Sequence, residues 1–208
     1  IKDGCSVLDE LDAAGVRVAV PLTADRLRPD LDAMRAAVTP RTRMLLLNSP
    51  HNPTGVVFTP AEIEDLARFA VEHDLLVLAD EAYEHLWFDD NVHVPVAGLP
   101  GMWERTVTVG SGGKSFSFTG WKVGWASGPA ELIGAVRFVR QHRSYVSAGP
   151  SQAAMAVGPR LPDTYFDGFR ADLAAKRDRL CAGLDALGFR GIPPQGSYFA
   201  TTDVGPLG

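Results

Sequence analysis

Short apolar runs recur along this chain, and longer segments with helical spacing of apolar residues separate them. This alternation predicts an α/β fold with a mostly parallel sheet. The run Leu75–Ala79 is apolar at every position, which is typical of a strand buried on both faces. The candidate strands are Arg17–Pro21, Met44–Leu47, Leu75–Ala79, Thr106–Gly110 and Trp125–Gly128.

One predicted helix has a clear start signal. Thr59 is a suitable cap, Pro60 suits the first turn, and Glu62 completes a capping box. Two more helices are predicted over Pro29–Val38 and Pro129–His142.

A long helix is predicted from Asp163 to Leu187, with Gly188 as a natural stop. Its length indicates a strut between two domains. Its apolar residues keep a spacing of three or four and are Phe166, Phe169, Leu173, Leu180, Leu184 and Leu187.

The composition is that of an ordinary globular protein and argues against several classes of partner. A net charge of −5 over 208 residues, with scattered basic residues, gives no track for nucleic acid and no attraction to anionic membranes. No apolar run approaches the roughly 20 residues of a membrane helix. Cys5 and Cys181 lie far apart, which argues against a disulfide framework and fits a reducing cytoplasm. Because the chain begins at Ile1 and ends at Gly208 just after an apparent new strand, we expect it to be a fragment.

Four segments rich in polar residues or glycine border the predicted strands. In an open α/β sheet the strand ends are where ligands bind, so these loops are expected to converge on one pocket. The segments are Asn48–Gly55 (NSPHNPTG), Asp80–Tyr83 (DEAY), Ser111–Lys114 (SGGK) and Gly120–Gly124 (GWKVG).

Lys114 is unusual because the chain has sixteen arginines and only four lysines. An amine in a glycine loop can attack a carbonyl, which a guanidinium cannot readily do. The plainer interpretation is a lysine that contacts phosphate or water, and from this residue alone both stay open.

A nucleotide P-loop is the rival interpretation of the same segment. Val107–Ser115 has the order strand, glycine loop, Lys-Ser, and Leu75–Glu81 is an apolar strand that ends in two acids. However, the P-loop pattern needs glycine where this chain has Thr108, and the acidic strand precedes the lysine loop instead of following it. The pattern therefore disfavours a P-loop.

Three more residues are candidates for the pocket. Asp80 ends a very apolar strand, where a carboxylate needs a partner, either a structural ion pair or cap or a protonated ring nitrogen. Tyr83 shares a helical face with Asp80 if that turn is helical, although a tyrosine by itself is more often core. Asn52 lies in a turn made rigid by two prolines and is expected to present its amide to the pocket, unless the turn is purely structural.

Taken together, these segments resemble the class I/II aminotransferases of fold type I over essentially the whole chain. The most specific part is the ordered set Asn52, Asp80, Tyr83, Lys114 and Lys122. The stretch GSGGKSFSFTGWKVGW is similar to kynurenine and glutamine transaminases. The sequence onward, through Ser144-Tyr145-Val146, also resembles bacterial N-succinyldiaminopimelate aminotransferases.

The resemblance implies a three-layer α/β/α large domain with a mostly parallel sheet, followed by the start of a small C-terminal α+β domain. Residues 1–162 would be the large, cofactor-binding domain without its N-terminal part. Residues 163–208 would be the interdomain helix and the truncated beginning of the small domain. The full-length protein would be a cytoplasmic homodimer without nucleic-acid or membrane partners.

The resemblance also implies pyridoxal 5'-phosphate as cofactor and a ping-pong transfer of an amino group between an amino acid and a 2-oxo acid. Lys114 would form the Schiff base and move the proton, while Asp80 would protonate the pyridine nitrogen. Asn52 and Tyr83 would bind the phenolic oxygen, and Ser111 and Lys122 would hold the phosphate. No metal site is implied.

Two alternatives keep the fold and change the function: a β-lyase, and a non-catalytic cofactor-sensing domain of a transcription regulator. The chain also departs from the family pattern. Lys122 stands where arginine is common, and Gly112 replaces a larger residue, which should loosen the lysine loop. The family's upstream phosphate loop and stacking aromatic, and its downstream carboxylate-binding arginine, would lie outside Ile1–Gly208.

Overall fold

Four strands pair in chain order to form the sheet of this protein, whose computed structural model describes residues 15–146 and 149–205. Strands β1, β2 and β3 are parallel, and β4 runs antiparallel to β3. The mostly parallel sheet predicted from the apolar runs is therefore confirmed. The strands are β1 (Met44–Asn48), β2 (Leu76–Asp80), β3 (Thr106–Ser111) and β4 (Gly124–Ser127).

The register of the parallel strands brings their carboxyl ends to one edge of the sheet. Asn48, the last residue of β1, lies beside Asp80, the last residue of β2. Asp80 in turn lies beside Val109 of β3. The loops that follow all three strands therefore start from the same edge.

Six α-helices and four short 3₁₀ turns accompany the strands in the described residues. The predicted helix after Thr59 is confirmed: the Thr59 hydroxyl accepts the Glu62 N–H at 3.2 Å, and the Glu62 carboxylate accepts the Thr59 N–H at 2.7 Å. The helices are α1 (Leu31–Ala37), α2 (Pro60–Glu72), α3 (Gly112–Ser115), α4 (Ala130–Arg143), α5 (Gly149–Met155) and α6 (Asp163–Ala186), and the 3₁₀ turns are Val96–Gly98, Trp103–Arg105, Thr119–Trp121 and Gly158–Arg160.

The core of the sheet region is built from α2 and the strands. The residues buried on α2 follow the helical spacing of one face. The strand residues buried with them alternate along β2. The buried apolar residues of these elements are Leu47, Ile63, Leu66, Ala67, Phe69, Ala70, Val77 and Ala79.

The long helix α6 forms as predicted, but its apolar stripe is not a core face in this chain. Phe166 is buried, whereas Leu180 is 51% exposed and Leu187, the residue after the helix, is 75% exposed. Gly188 follows with a φ of 81°, the left-handed conformation that glycine adopts easily, so the predicted stop is confirmed.

The chain divides by its contacts into two units, residues 1–42 and 43–208. The first contains α1, which begins where the Asp30 carboxylate accepts the Ala33 N–H at 2.9 Å. The strand predicted at Arg17–Pro21 is wrong, because residues 16–23 form no regular element. A strand needs a neighbour for its backbone groups, and no described strand pairs with this one. The predicted domain boundary at residues 162/163 stays a prediction.

None of the helices in residues 15–146 and 149–205 is both long and apolar enough to cross a membrane.

We expect Thr59→Ala to lower the free energy of unfolding by about 1 kcal/mol, because the change removes one half of the capping box and leaves the Glu62 N–H without its acceptor. Urea unfolding would measure this. Glu64→Ala, at an exposed position of the same helix, is the control and should change stability much less. Equal effects of the two variants would show that the cap contributes nothing specific.

Candidate active site

The loops after β1 and β2 are joined at the sheet edge by hydrogen bonds through Asn48. Its side-chain amide donates to the Asp80 carbonyl oxygen at 3.0 Å. Its side-chain oxygen accepts the Asn52 N–H at 2.7 Å. Ser49 N–H also donates to the Asp80 carbonyl oxygen, at 3.3 Å. The turn that carries Asn52 is therefore fixed to the end of the strand that carries Asp80.

The proline-rich segment is a tight turn, as predicted. The His51 N–H donates to the Val56 carbonyl and the Gly55 N–H donates to the His51 carbonyl, both at 2.8 Å. Both X–Pro bonds of the segment are cis. The His51 ring hydrogen-bonds to the Thr54 hydroxyl at 2.8 Å, and Asn52 lies exposed at the tip.

Asp80 is a half-buried carboxylate at the end of β2. It accepts the Ala82 N–H at 3.2 Å. Burial raises the pKa of Asp80, the Ala82 hydrogen bond opposes this rise, and the charge of Glu81 adds to it. A cationic hydrogen-bond donor beside Asp80 would stabilise its ionised form.

Tyr83 and Lys114 come together although 31 positions separate them in the sequence. Tyr83 is 3% exposed, and the Lys114 amine lies 5.7 Å from the centre of its ring. Burial raises the pKa of Tyr83 far above its ordinary value, and hydrogen bonding to Tyr198 and the charge of Asp80 add to the effect. The Tyr83 hydroxyl therefore keeps its proton and can donate a hydrogen bond.

The lysine loop is tightly packed, so the expected loosening at Gly112 is wrong. Gly112 and Gly113 are buried in the short helix α3. A β-carbon on Gly112 would lie 2.4 Å from the Met155 sulfur, and one on Gly113 would lie 2.8 Å from the Thr119 Cα. The methionine sulfur fills the space that a larger residue would take.

Ser111, Lys114 and Lys122 line one cavity of about 310 Å³ at the end of β3. Ser111 ends the strand, and Lys122 follows a 3₁₀ turn with a left-handed φ of 53°. The two lysines bring positive charge to the cavity without a carboxylate among its lining residues. The rest of the lining consists of Gly113, Thr119, Val123 and Gly124.

The sequence-predicted residues are thus linked in one series. Asn48 joins Asn52 to Asp80, the charge of Asp80 contributes to the raised pKa of Tyr83, and the Tyr83 ring lies beside the Lys114 amine. Lys114 lines the cavity with Ser111 and Lys122.

Sequence reasoning missed two features of this region. Tyr198 lies against both Tyr83 and Lys114, and its hydroxyl accepts a hydrogen bond from the Lys114 amine. Glu81 is buried beside Asp80, with one carboxylate oxygen 3.1 Å from a ring nitrogen of His93 and the other accepting the Val96 N–H at 3.0 Å. The Asp-Glu pair in the sequence was a signal that could have indicated Glu81, whereas no local signal indicated Tyr198.

Comparison with known proteins gives a consistent result. The family profile described as aminotransferase class I and II matches residues 11–207. The chain belongs to this family. It is 50% identical to a probable N-succinyldiaminopimelate aminotransferase of Mycobacterium tuberculosis over 198 residues, which are 94% of this chain and 50% of that protein. It is 42% identical to human kynurenine–oxoglutarate transaminase 1 over 183 residues, covering 84% of this chain and 43% of that one.

Solved structures agree with the sequence matches for this class I and II aminotransferase chain. The N-succinyldiaminopimelate aminotransferase of Mycobacterium tuberculosis superposes with a TM-score of 0.90 at 49% identity, covering 95% of this chain and 52% of that one. The aspartate aminotransferase of Thermus thermophilus with maleate superposes with a TM-score of 0.82 at 34% identity, covering 94% and 52%. The predicted fold class is confirmed. The chain spans about half the length of the curated relatives it matches.

The turn that carries Asn52 should make stability depend on pH through His51. Burial lowers the pKa of His51 below its ordinary value of 6.5, so the unfolded chain binds a proton there more readily than the folded chain. The stability that neutral His51 provides is therefore present above that value and is lost as the pH falls.

We expect His51→Gln to lose less stability than the wild type between about pH 8 and about pH 5, as measured by thermal unfolding. The His51→Gln variant should still lose some stability over this pH range, because His85 is a second histidine whose pKa is lowered. The causes there are burial and the nearby Arg170 and His93. His142→Gln, at an exposed position of α4, is the control. If the stability of His51→Gln fell with pH as much as that of the wild type, His51 would not be the group responsible.

Proposed function

We propose that the protein carrying this chain is a pyridoxal-phosphate-dependent aminotransferase with its reactive amine at Lys114. The observation that supports this best is the position of that amine. It lies beside the buried Tyr83 and lines the same cavity as Ser111 and Lys122. The chain also belongs to the class I and II aminotransferases, which are pyridoxal-phosphate-dependent enzymes.

The residues present fit this cofactor. A pyridinium N–H suits Asp80, because burial disfavours that carboxylate when it has no cation beside it. A phenolic oxygen suits Tyr83, whose hydroxyl remains a donor. A phosphate suits the cavity that Ser111 and Lys122 line with Lys114.

When bound, pyridoxal phosphate supplies an aldehyde carbon and a ring that accepts the electron pair released at the substrate α-carbon. The Lys114 amine would hold the cofactor at its aldehyde carbon. When it is not bonded to that carbon, its neutral form would be the base that takes the proton from the substrate α-carbon. A lysine suits this work because its amine, unlike a guanidinium, can lose its proton.

Asp80, Tyr83 and Asn52 would bind the ring. The Asp80 carboxylate would keep the proton on the ring nitrogen, and the Tyr83 hydroxyl would donate to the phenolic oxygen together with the Asn52 amide. Fixed donors and charges of this kind need no rearrangement during the reaction. The Ser111 hydroxyl and the Lys122 ammonium would hold the phosphate, with lysine acting as a point charge and not as a bidentate fork.

The proposed substrates are an amino acid and a 2-oxo acid. N-succinyldiaminopimelate is the first to test, because the chain is 50% identical to a relative that carries this name, and kynurenine is the second. A panel of 2-oxo acids assayed with both donors would separate these activities. Release of ammonia instead of amino-group transfer would favour the β-lyase. The homodimer, the cytoplasmic location and the lack of nucleic-acid partners stay predictions.

We expect Lys114→Ala, made in the full-length protein, to lower turnover by about 10²- to 10⁴-fold, because the change removes both the covalent anchor and the proton-transfer group. The protein-bound cofactor should also lose the visible absorbance that depends on its bond to lysine. Steady-state assays and absorption spectra would measure the two effects. Lys176→Ala, on the exposed surface of α6, is the matched control. Normal turnover of Lys114→Ala would refute the assignment.

We expect Asp80→Asn to keep the fold and to lower turnover about 100-fold, because an amide cannot hold a pyridinium proton by charge. The side-chain size hardly changes, so the thermal unfolding temperature should stay close to that of the wild type. Asp185→Asn, near the end of α6, serves as the control. Wild-type turnover in Asp80→Asn would show that the charge of Asp80 is not needed to hold the pyridinium proton.

A further inference from the structure

A short segment after α6 joins the loops that follow β1 and β2. We name Gln195–Ser197 the clamp. The Gln195 and Gly196 N–H groups donate to the Gly55 carbonyl at 2.8 Å each. On its other side, the Ser197 N–H donates to the Leu86 carbonyl at 2.9 Å, and the Phe88 N–H donates to the Gln195 carbonyl at 2.8 Å. The clamp therefore connects the turn of Asn52 to the loop of Tyr83.

The clamp fits without free space. A β-carbon on Gly196 would lie 2.5 Å from the Leu86 carbonyl oxygen, and one on Gly55 would lie 2.4 Å from the Pro194 Cβ. Ser197 is fully buried and has a left-handed φ of 61°. Such a conformation in a residue other than glycine persists only where the surroundings enforce it. The backbone that leads to residue 198 is thus held in one place.

The residue that the clamp delivers is Tyr198, and it meets the reactive lysine. The Lys114 amine donates a hydrogen bond to the Tyr198 hydroxyl and lies 4.8 Å from the centre of the Tyr198 ring. The Tyr198 and Tyr83 rings meet edge to face, with 5.3 Å between their centres. The amine therefore lies beside two aromatic rings, one buried and one 43% exposed.

A free lysine side chain has many rotamers, and fixing it in one of them costs conformational entropy. An amine that must meet an aldehyde reacts faster when its direction is already set. In the described residues, Tyr198 is the side chain that both accepts from this amine and touches Tyr83. Its place depends on the clamp and not on the lysine loop, so the restraint comes from a separate part of the chain.

We propose that Tyr198 is a positioning residue for Lys114: its hydroxyl holds the lysine amine against Tyr83, in the direction from which the amine captures the cofactor aldehyde. This inference rests on the proposed function, since without that reaction the orientation of the amine would serve no step. The clamp then has a functional consequence, because it couples the segment after α6 to the reactive amine.

The test measures the reactivity of the Lys114 amine in the full-length protein after removal of cofactor. Wild type, Tyr198→Phe and Tyr165→Phe are mixed with pyridoxal 5'-phosphate and cyanoborohydride at one pH, and attachment of the cofactor to each lysine is followed by peptide mass spectrometry. Tyr165 packs on Phe116, Phe166 and Phe169, outside this cluster, so it is a matched loss of one hydroxyl.

We expect the cofactor to attach to Lys114 of Tyr198→Phe about fivefold more slowly than in the wild type, because the amine loses the direction that the Tyr198 hydroxyl sets. Lys122 and Lys176 in the same samples should be unchanged, and Tyr165→Phe should equal the wild type at all three positions. A purely structural role for Tyr198 would alter the other lysines or the unfolding temperature instead. Tyr198→Leu is a second variant, for which the same slowing is expected.

A Lys114 rate within twofold of the wild type in both Tyr198 variants would overturn the proposal, as would a faster rate or an equal slowing of all three lysines. The proposed function is checked separately, by reducing the cofactor-loaded wild type with borohydride and identifying the lysine that carries the cofactor. A lysine other than Lys114 would refute the proposed function, whatever the rates of cofactor attachment are. The two failures are therefore distinguishable.

Discussion

The parallel pairing of β1, β2 and β3 is the constraint on which the rest of the site depends. It sets Asn48 beside Asp80 and Asp80 beside Val109, so three loops leave the sheet from one edge. The Asn48 side chain then uses this proximity to bond both the end of β2 and the turn after β1. Because the side chains of a strand alternate between the two faces of a sheet, a shift of β2 by one residue would turn Asp80 away from the other loops. The register of the strands therefore determines whether the residues of the site lie close together.

A second constraint comes from the clamp, which lies more than a hundred residues beyond the loops that it joins. Its backbone N–H groups donate to the Gly55 and Leu86 carbonyl oxygens, so polar backbone groups of both loops are paired with the clamp. The close contacts at Gly55 and Gly196 leave no room for a side chain at either position. Arg177 of α6 adds a further link on this side, with hydrogen bonds to the Asp89 carboxylate at 2.6 and 3.0 Å and to the Pro194 carbonyl at 3.2 Å. The long helix thus helps to hold the site from outside, although only Phe166 of its apolar stripe is buried.

Local signals in the sequence predicted the elements whose causes are local. The capping box at Thr59, the turn with two prolines and the stop at Gly188 each depend on residues a few positions apart, and the structure has all three. The strand at Arg17–Pro21 failed because a strand is stabilised by its neighbour, which no local pattern of apolar residues reports. The contact between Tyr198 and Lys114 spans 84 positions and depends on the clamp, so composition and spacing could not predict it. The tight packing of Gly112 against Met155 was missed for the same reason.

Burial has the same effect on the titration of Asp80 and Tyr83, and the consequences for binding are opposite. It raises the pKa of both groups by disfavouring their anionic forms. For Tyr83 this preserves a hydrogen-bond donor that suits an anionic oxygen. For Asp80, burial makes the ionised carboxylate less favourable, and a cationic donor beside it would offset this cost. A ligand that carries an anionic oxygen and a protonated ring nitrogen on one flat ring would suit both groups, while Lys122 would supply positive charge for a further anionic group in the cavity that it lines. The electrostatics of these few side chains therefore favour the same class of ligand as the family to which the chain belongs.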